Sequence, residues 1–173
     1  MNIDLNKLAE ELHAAAVEKG FWDVEDALEK HCAKMISELG EVVQADRAGI
    51  MYDPEDSISG KPEGVAVELA DFVMMTMDMC ISLEGSFPED NIETWNQNKE
   101  AAAKIAEIPA YNLVGALTAS LVSLGDIADT GPMLHIVYAV YIWLKARGYD
   151  LWEIIRQKMK CNEDRPKLHG RLY

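Results

Sequence analysis

The chain has 173 residues, enough for one full-sized hydrophobic core, and we expect a single domain over residues 1–173. Sixteen Lys and Arg against thirty Asp and Glu leave a formal net charge of −14, which argues against a nucleic-acid partner bound through a basic surface. The cysteines, Cys32, Cys80 and Cys161, are odd in number and widely spaced, so neither a disulfide framework nor a zinc site is indicated. A reducing, cytoplasmic location is expected.

The chain carries no pattern that predicts export or a membrane partner. Its first 16 residues are acidic and amphipathic, and they lack the basic and apolar regions of a secretory signal. The longest apolar run, residues 133–144, is shorter than the roughly 20 residues that span a bilayer. We therefore expect this run to form a buried core helix.

Apolar residues recur at helical spacing along most of the chain, and no segment shows the alternation that is typical of a strand. The fold class is therefore predicted to be all-α, as an antiparallel helical bundle. The pattern predicts helices over residues 4–19, 25–48, 63–83, 93–107, 111–129, 133–147 and 151–161.

The expected helix ends rest on local signals. Gly49 is predicted to stop the second helix, and Pro62 is expected in the first turn of the third. Asp150 is expected to cap the last helix. The tail after that helix is expected to be extended, because Pro166 disfavours helical geometry at Arg165.

Two pairs of acidic residues stand out in the helical pattern. Glu38 and Glu41 lie three residues apart, which places both on one face of the second helix, and Glu68 and Asp71 repeat this spacing in the third. The third helix is almost entirely apolar around its pair, so these carboxylates are expected to be buried. Burial of an ionised carboxylate is costly unless it is paired or bound to a metal. All four residues are predicted to hold Mg²⁺ or Mn²⁺ between the two helices.

A weak internal repeat links the two halves of the chain. Residues 37–46 align with residues 122–131, which sets Glu41 opposite Asp126 and Glu38 opposite Ser123. Residues 86–147 are therefore interpreted either as a helical insertion or as a degenerate second helix pair.

The motifs resemble those of the MazG-like all-α nucleoside triphosphate pyrophosphohydrolases. Besides the two acidic pairs, the similarity includes KGFWD at residues 19–23, KPEGVAVELAD at residues 61–71 and the K-x-x-x-N-x-x-R-P-x-x-H-G ending at residues 158–170. Residues 86–147 are extra relative to short members of the family. Lys34 stands where such proteins usually have an aliphatic residue.

This resemblance implies an enzyme that hydrolyses a nucleoside triphosphate to the monophosphate and pyrophosphate, with a role in clearing surplus or non-canonical nucleotides. It implies Mg²⁺ as cofactor, with Glu38 or Glu41 orienting or deprotonating the attacking water. A homodimer or homotetramer is expected by the same resemblance. The open alternatives are a dUTPase or phosphoribosyl-ATP pyrophosphatase relative, and a catalytically silent helical interaction module.

Several other side chains are candidates for contacts with the nucleotide. Trp22 is the predicted base-stacking residue, with its neighbour Phe21 as a second candidate and core packing as the other interpretation. Asp78 is interpreted as structural rather than as a metal ligand. The residues expected to bind phosphate are Lys34, Lys158, Asn162 and Arg165, because Lys and Arg supply charge and Asn supplies an amide donor.

Overall fold

The structure is a computed structural model that describes residues 3–23, 27–55, 60–87, 97–123, 131–163 and 165–170. These ranges contain α-helices and no strand, which confirms the all-α class. The seven helices are α1 (Leu5–Glu18), α2 (Ala27–Ala48), α3 (Val65–Ser82), α4 (Lys99–Glu107), α5 (Ala110–Ser123), α6 (Gly131–Ala146) and α7 (Leu151–Glu163).

Helix α3 lies at the centre of the fold. It packs against α1, α2, α6 and α7, which explains why nearly all of its residues are buried, as the apolar pattern predicts. Two acidic residues of α3 are also buried: Glu68 is only 6% exposed and Asp78 only 4%. The central helix thus carries charged groups into the core, where each of them needs a compensating partner.

Helices α2 and α3 run antiparallel, as their contacts show. The end of α2 meets the start of α3, where the backbone N–H of Val65 donates to the carbonyl oxygen of Ile50 at 3.0 Å. The start of α2 meets the end of α3, where Nε2 of His31 lies 2.9 Å from the carbonyl oxygen of Met75. This register sets the middle of α2, with Glu38, opposite the first turns of α3.

Gly64 makes the close approach at this corner. Its φ angle is +111°, and a Cβ atom added to it would lie 3.0 Å from the carbonyl oxygen of Ile50. The N–H of Ala66 then donates to the carbonyl oxygen of Met51 at 2.9 Å, so loop carbonyls satisfy the first donors of α3. These bonds fix how far α3 is shifted along α2, and hence where the acidic side chains meet.

One helix-capping prediction is confirmed, that of Asp150, and Asp4, which was not predicted as a cap, makes an equivalent contact. Oδ1 of Asp4 accepts from the N–H of Lys7 at 3.0 Å at the start of α1. Oδ1 of Asp150 accepts from the N–H of Trp152 at 2.9 Å at the start of α7. Both carboxylates satisfy donors that the first turn of a helix leaves unpaired.

Two local predictions were wrong. Pro62 is not in the first turn of α3, because the loop carbonyls hold the chain non-helical until Val65 and Gly64 becomes the N-cap. The tail is not extended throughout, because residues Lys167–Gly170 form a 3₁₀ helix. In the loop before α3, Asp53 and Glu63 form an isolated antiparallel bridge that the sequence did not predict.

Helices α4, α5 and α6 form a layer beside the central pair. Helix α5 packs on α2 and α6, while α6 packs on α3. The guanidinium of Arg147 ties this layer together, since it donates to the carbonyl oxygens of Ala106 and Ile108 at 3.0 and 3.1 Å. The last six residues of the predicted helix 111–129 and the first four of 93–107 lie outside the described residues, as does Asp126 of the internal repeat.

Within the described ranges, no single helix combines the length and apolar character needed to cross a membrane. Helices α4 and α5 meet that criterion only jointly, and the break between them bends the pair by 117°.

Candidate functional site

Three of the four predicted ligands form one carboxylate group, called here the acidic cluster: Glu38 and Glu41 from α2 and Glu68 from α3. One oxygen of each residue lies within 4.8 Å of the oxygens of the other two. Glu41 is exposed, Glu38 is half-buried and Glu68 is buried, so the cluster runs from the surface into the protein. The i, i+3 spacing in α2 and the antiparallel register together account for this convergence.

Asp71, the fourth predicted ligand, has a different partner. Nζ of Lys158 lies 2.7 Å from Oδ2 of Asp71, and the two side chains are only 13% and 19% exposed. The pair joins α3 to α7, so the predicted phosphate-binding lysine reaches the acidic residues from a third helix. The structure therefore places a cation beside the acidic cluster, and Asp71 supplies its hydrogen-bond acceptor.

Two members of the acidic cluster, Glu38 and Glu68, hold protons more tightly than ordinary carboxyl groups do. Burial, together with the nearby charges of Asp71 and Glu41, raises the pKa of Glu38 to about 7. Burial and the charge of Asp71 raise the pKa of Glu68 to about 8. Ionised carboxylates that lie close together and are partly removed from water repel one another and lack solvation. A bound cation stabilises them.

Lys158 keeps its proton in this environment. Burial by itself favours the neutral amine, but the charge and hydrogen bond of Asp71 and the charge of Glu68 outweigh burial and raise the pKa of Lys158. The same neighbour acts on Asp71, where burial raises the pKa and Lys158 opposes the rise. Lys158 is therefore a fixed positive charge at the edge of the acidic cluster.

These pKa shifts predict how the stability of the metal-free protein depends on pH. Between the ordinary pKa of a glutamate, 4.5, and the raised value of about 8, the folded state binds more protons at Glu68 than the unfolded state does. The free energy of unfolding should therefore fall as pH rises from 5 to 8.5, by on the order of a few kcal/mol. Urea unfolding in EDTA across this pH range measures the free energy of unfolding. Addition of about 5 mM Mg²⁺ should reduce its fall with pH.

A stability that rises with pH in EDTA would contradict this expectation. The Glu68→Gln variant serves as the control, because an amide at this position cannot titrate and should flatten most of the dependence.

The acidic cluster opens into a cleft of about 600 Å³. Among the described residues, those that line it come from α1 and the turn after it, from α2, from the loop before α3, from α3, and from α7 with the segment that follows it, and none belongs to 97–147. Its charged lining includes the cations Lys19, Lys34, Lys61, Lys158 and Arg165 alongside the acidic cluster and Asp71. A cleft with acidic and basic groups side by side fits a ligand that carries both bound cations and phosphate groups.

The remaining predicted phosphate-binding residues lie in this cleft. Lys34, on α2, places Nζ 4.3 Å from the ring centroid of Phe21, a cation–π distance. Nη1 of Arg165 donates to Oδ1 of Asn162 at 3.0 Å, and both residues line the cleft. The structure thus brings Lys34 to the same cavity as Lys158, Asn162 and Arg165, which are distant from it in sequence.

Trp22, the predicted base-stacking residue, is placed differently. It is not among the described residues that line the cleft, whereas its neighbour Phe21 is. The indole N–H donates to Oδ1 of Asp78 at 3.0 Å, and the indole ring stacks on His31 with centroids 4.9 Å apart. In this structure the indole has two internal partners, so Phe21 is the aromatic ring available to the cleft.

Asp78, which was interpreted as structural, is the centre of a second polar network, and it lines the same cleft as the acidic cluster. Its Oδ1 lies 2.7 Å from Nδ1 of His13, and its Oδ2 lies 3.7 Å from Nδ1 of His31. Burial raises the pKa of Asp78, although both histidines and the Trp22 hydrogen bond oppose the rise. The network joins α1, α2 and α3, and it satisfies a carboxylate that would otherwise be buried without a partner.

Sequence reasoning missed two residues near the site. His13 gave no signal, because a polar residue on an amphipathic helix is usually solvated. Lys19 stands inside the KGFWD motif, yet its role depends on the chain after α7, to which its Nζ donates two hydrogen bonds. Only the three-dimensional structure shows either contact.

The acidic cluster fits a divalent metal ion by the chemistry of its donors. Its three carboxylates supply hard oxygen atoms, which are the ligands that Mg²⁺ and Mn²⁺ prefer. The raised pKa values of Glu38 and Glu68 show that these oxygens lack sufficient compensating charge from the protein itself. The oxygen ligands and their uncompensated negative charge are thus both compatible with the metal site that the sequence predicts.

Comparison of the chain with protein-family models, with curated proteins and with solved structures finds no match in any of the three. The MazG-like assignment therefore stays a prediction from the sequence motifs.

Proposed function

We propose that this protein is a Mg²⁺-dependent nucleoside triphosphate pyrophosphohydrolase of the MazG-like type, which releases pyrophosphate and a nucleoside monophosphate. The observation that carries the proposal is the meeting of Glu38, Glu41 and Glu68, within 4.8 Å of one another, next to the Lys158–Asp71 pair. Carboxylates that hold metal, beside cations that reach phosphate, are the two requirements of phosphate-anhydride hydrolysis.

The acidic cluster would hold the metal, with Glu38, Glu41 and Glu68 as ligands and Asp71 next to them. Bound Mg²⁺ supplies Lewis-acid activation of phosphate oxygens and a water of lowered pKa. The protein's own contribution is to fix three carboxylates from two helices that the Ile50–Val65 hydrogen bond locks in register. Such preorganisation places charge before the substrate arrives.

Lys158 and Arg165 are positioned to act on the phosphate chain. Both line the cleft, and Lys158 is held within 2.7 Å of Asp71, so its charge stays next to the acidic cluster. Negative charge builds up on the departing pyrophosphate as the anhydride bond breaks, and fixed cations stabilise it. Arg165 offers two parallel N–H donors, which suits the oxygens of a phosphate group.

Glu38 is the better candidate of the two for accepting the proton of the attacking water. In the metal-free protein its pKa is raised to about 7, above all by burial, so an oxygen of Glu38 that is not bound to the metal would accept a proton more readily than an ordinary carboxylate does. Glu41 is exposed and accepts a long hydrogen bond of 3.5 Å from Oγ of Ser37. We assign proton transfer to Glu38 and metal binding alone to Glu41.

The apolar part of the cleft suits the nucleoside. The cleft is also lined by Phe21, Leu12, Met74 and Met75, and the Phe21 ring lies next to Nζ of Lys34. An aromatic ring and flexible thioethers pack against the flat face of a base without selecting one base by hydrogen bonds. We therefore expect activity on more than one nucleoside triphosphate.

Incubation with each of the eight common NTPs and dNTPs and with Mg²⁺ tests this proposal directly. We expect pyrophosphate as the product from at least one substrate, and full loss of the reaction in EDTA, since the acidic cluster needs its cation. Separate assays for pyrophosphate and orthophosphate measure the outcome. Release of orthophosphate alone would contradict cleavage between the α- and β-phosphates.

The same preparation distinguishes the enzyme from a silent helical module. A ligand that binds only the folded state must raise its stability, so millimolar Mg²⁺ should raise the melting temperature. An unchanged melting temperature together with no turnover would favour the silent module.

A further inference from the structure

The chain after α7 turns back across the end of α1 and is held there by one residue. We call residues 165–168 the strap. Nζ of Lys19 donates to the carbonyl oxygens of Glu163 and Arg165, both at 2.7 Å. The N–H of Leu168 donates to the carbonyl oxygen of Lys19 at 2.8 Å. Lys19 therefore binds the strap through its side chain and its backbone at once.

Helix chemistry explains why a lysine stands at this position. The last carbonyls of α7 have no helical partner, and they form the negative end of the helix dipole. The ammonium group of Lys19 caps them from a neighbouring helix, as cations commonly do at this end. Gly20 then turns the chain with φ of +79°, and a Cβ there would overlap the side chain of Lys167.

The strap carries two residues into the lining of the cleft, Arg165 and Leu168. Arg165 lines the same cleft as Asp71 and the acidic cluster. Its Nη1 also donates to Oδ1 of Asn162, which sits in the last turn of α7. Where the strap lies thus decides where the guanidinium of Arg165 stands relative to the acidic cluster.

We propose that Lys19 is a positioning residue that holds the strap across the cleft and thereby sets Arg165 for the phosphates of the substrate. The role of Arg165 toward substrate rests on the proposed function, whereas the attachment of the strap does not. The ion pair between Lys167 and Asp23 adds little, because both side chains are more than half exposed.

Hydrogen exchange in the Lys19→Met variant tests the attachment without any substrate. Loss of two charge-assisted hydrogen bonds should free the strap, so the amide of Leu168 should exchange about tenfold faster. The guanidinium in Lys19→Arg can still donate in two directions, so the amide of Leu168 should continue to exchange slowly. Lys7→Met removes an exposed charge from the same helix and should change nothing. Unchanged exchange at Leu168 in Lys19→Met would overturn the proposal, whether or not the protein is active.

A double-mutant cycle with Arg165→Gln tests the link to the site. Lys19→Met should raise the KM for the nucleoside triphosphate about tenfold in the presence of Arg165, and much less in its absence. Equal increases in both backgrounds would overturn the positioning role. Absence of pyrophosphate release by the unmodified protein would instead contradict the proposed function. In that case the hydrogen-exchange measurement alone tests whether Lys19 holds the strap.

Discussion

Replacing Glu68 with Gln is expected to lower the rate of pyrophosphate release on the order of a thousandfold, the scale of losing one electrostatic group at a reacting centre. Glu68 is the buried member of the acidic cluster, and the amide keeps its shape while removing the charge that a metal ion needs. The same change should stabilise the metal-free protein at pH 8.5, because it removes a carboxylate that is costly to ionise. Steady-state kinetics and urea unfolding in EDTA measure the two effects.

This combination separates a functional cluster from a structural one. Replacing a residue that only supports the fold would lower both the activity and the stability of the protein. Glu68→Gln should instead lower the activity and raise the stability of the metal-free protein. Glu29→Gln removes an exposed charge from α2 and should leave both quantities unchanged. Retained turnover in Glu68→Gln would contradict the assignment of the acidic cluster to metal binding.

Replacing Lys158 with Met is expected to destabilise the metal-free protein by about 3 kcal/mol at pH 8. The change leaves Asp71, only 19% exposed, without its cation and next to three further carboxylates. The loss should shrink at pH 5.5, because Glu38 and Glu68, whose pKa values are raised to about 7 and about 8, take up protons there and no longer repel the unpaired Asp71. Activity should fall at least a hundredfold, roughly the effect of losing one group that stabilises the departing charge.

Denaturation at the two pH values tests the Lys158 prediction. Lys160→Met is the matched control, since Lys160 is exposed and lies in the same helix. Lys158→Arg should restore most of the stability, because a guanidinium can also pair with Asp71. An equal loss at both pH values would mean that the cost comes from lost packing and not from the unpaired charge.

Local sequence signals predicted much of the fold. The capping residue Asp150 begins its helix as expected, and Gly49, with φ of +73°, directly follows the last residue of α2. These features depend on the few residues around each helix end, so they can be inferred without knowing the fold. The burial of α3 was likewise evident, because its residues are apolar on every side.

The predictions that were wrong concern segments whose geometry is set by distant contacts. Pro62 is well suited to start a helix, yet α3 begins later because carbonyls of the preceding loop take its first N–H groups. The tail was predicted to be extended from Pro166 alone. The hydrogen bond from Leu168 to Lys19, which joins the two ends of the chain, accompanies a 3₁₀ helix instead.

The sequence by itself determined the all-α class, the burial of the third helix and which carboxylates share a helix face, because periodicity acts over a few residues. Tertiary structure alone decided the partners: Lys158 for Asp71, His13 for Asp78 and Lys19 for the strap. It also decided that three of the acidic groups meet while the fourth pairs with a lysine. Those contacts depend on how α1 and α7 pack against α3, and side-chain spacing within one helix carries no information about that packing.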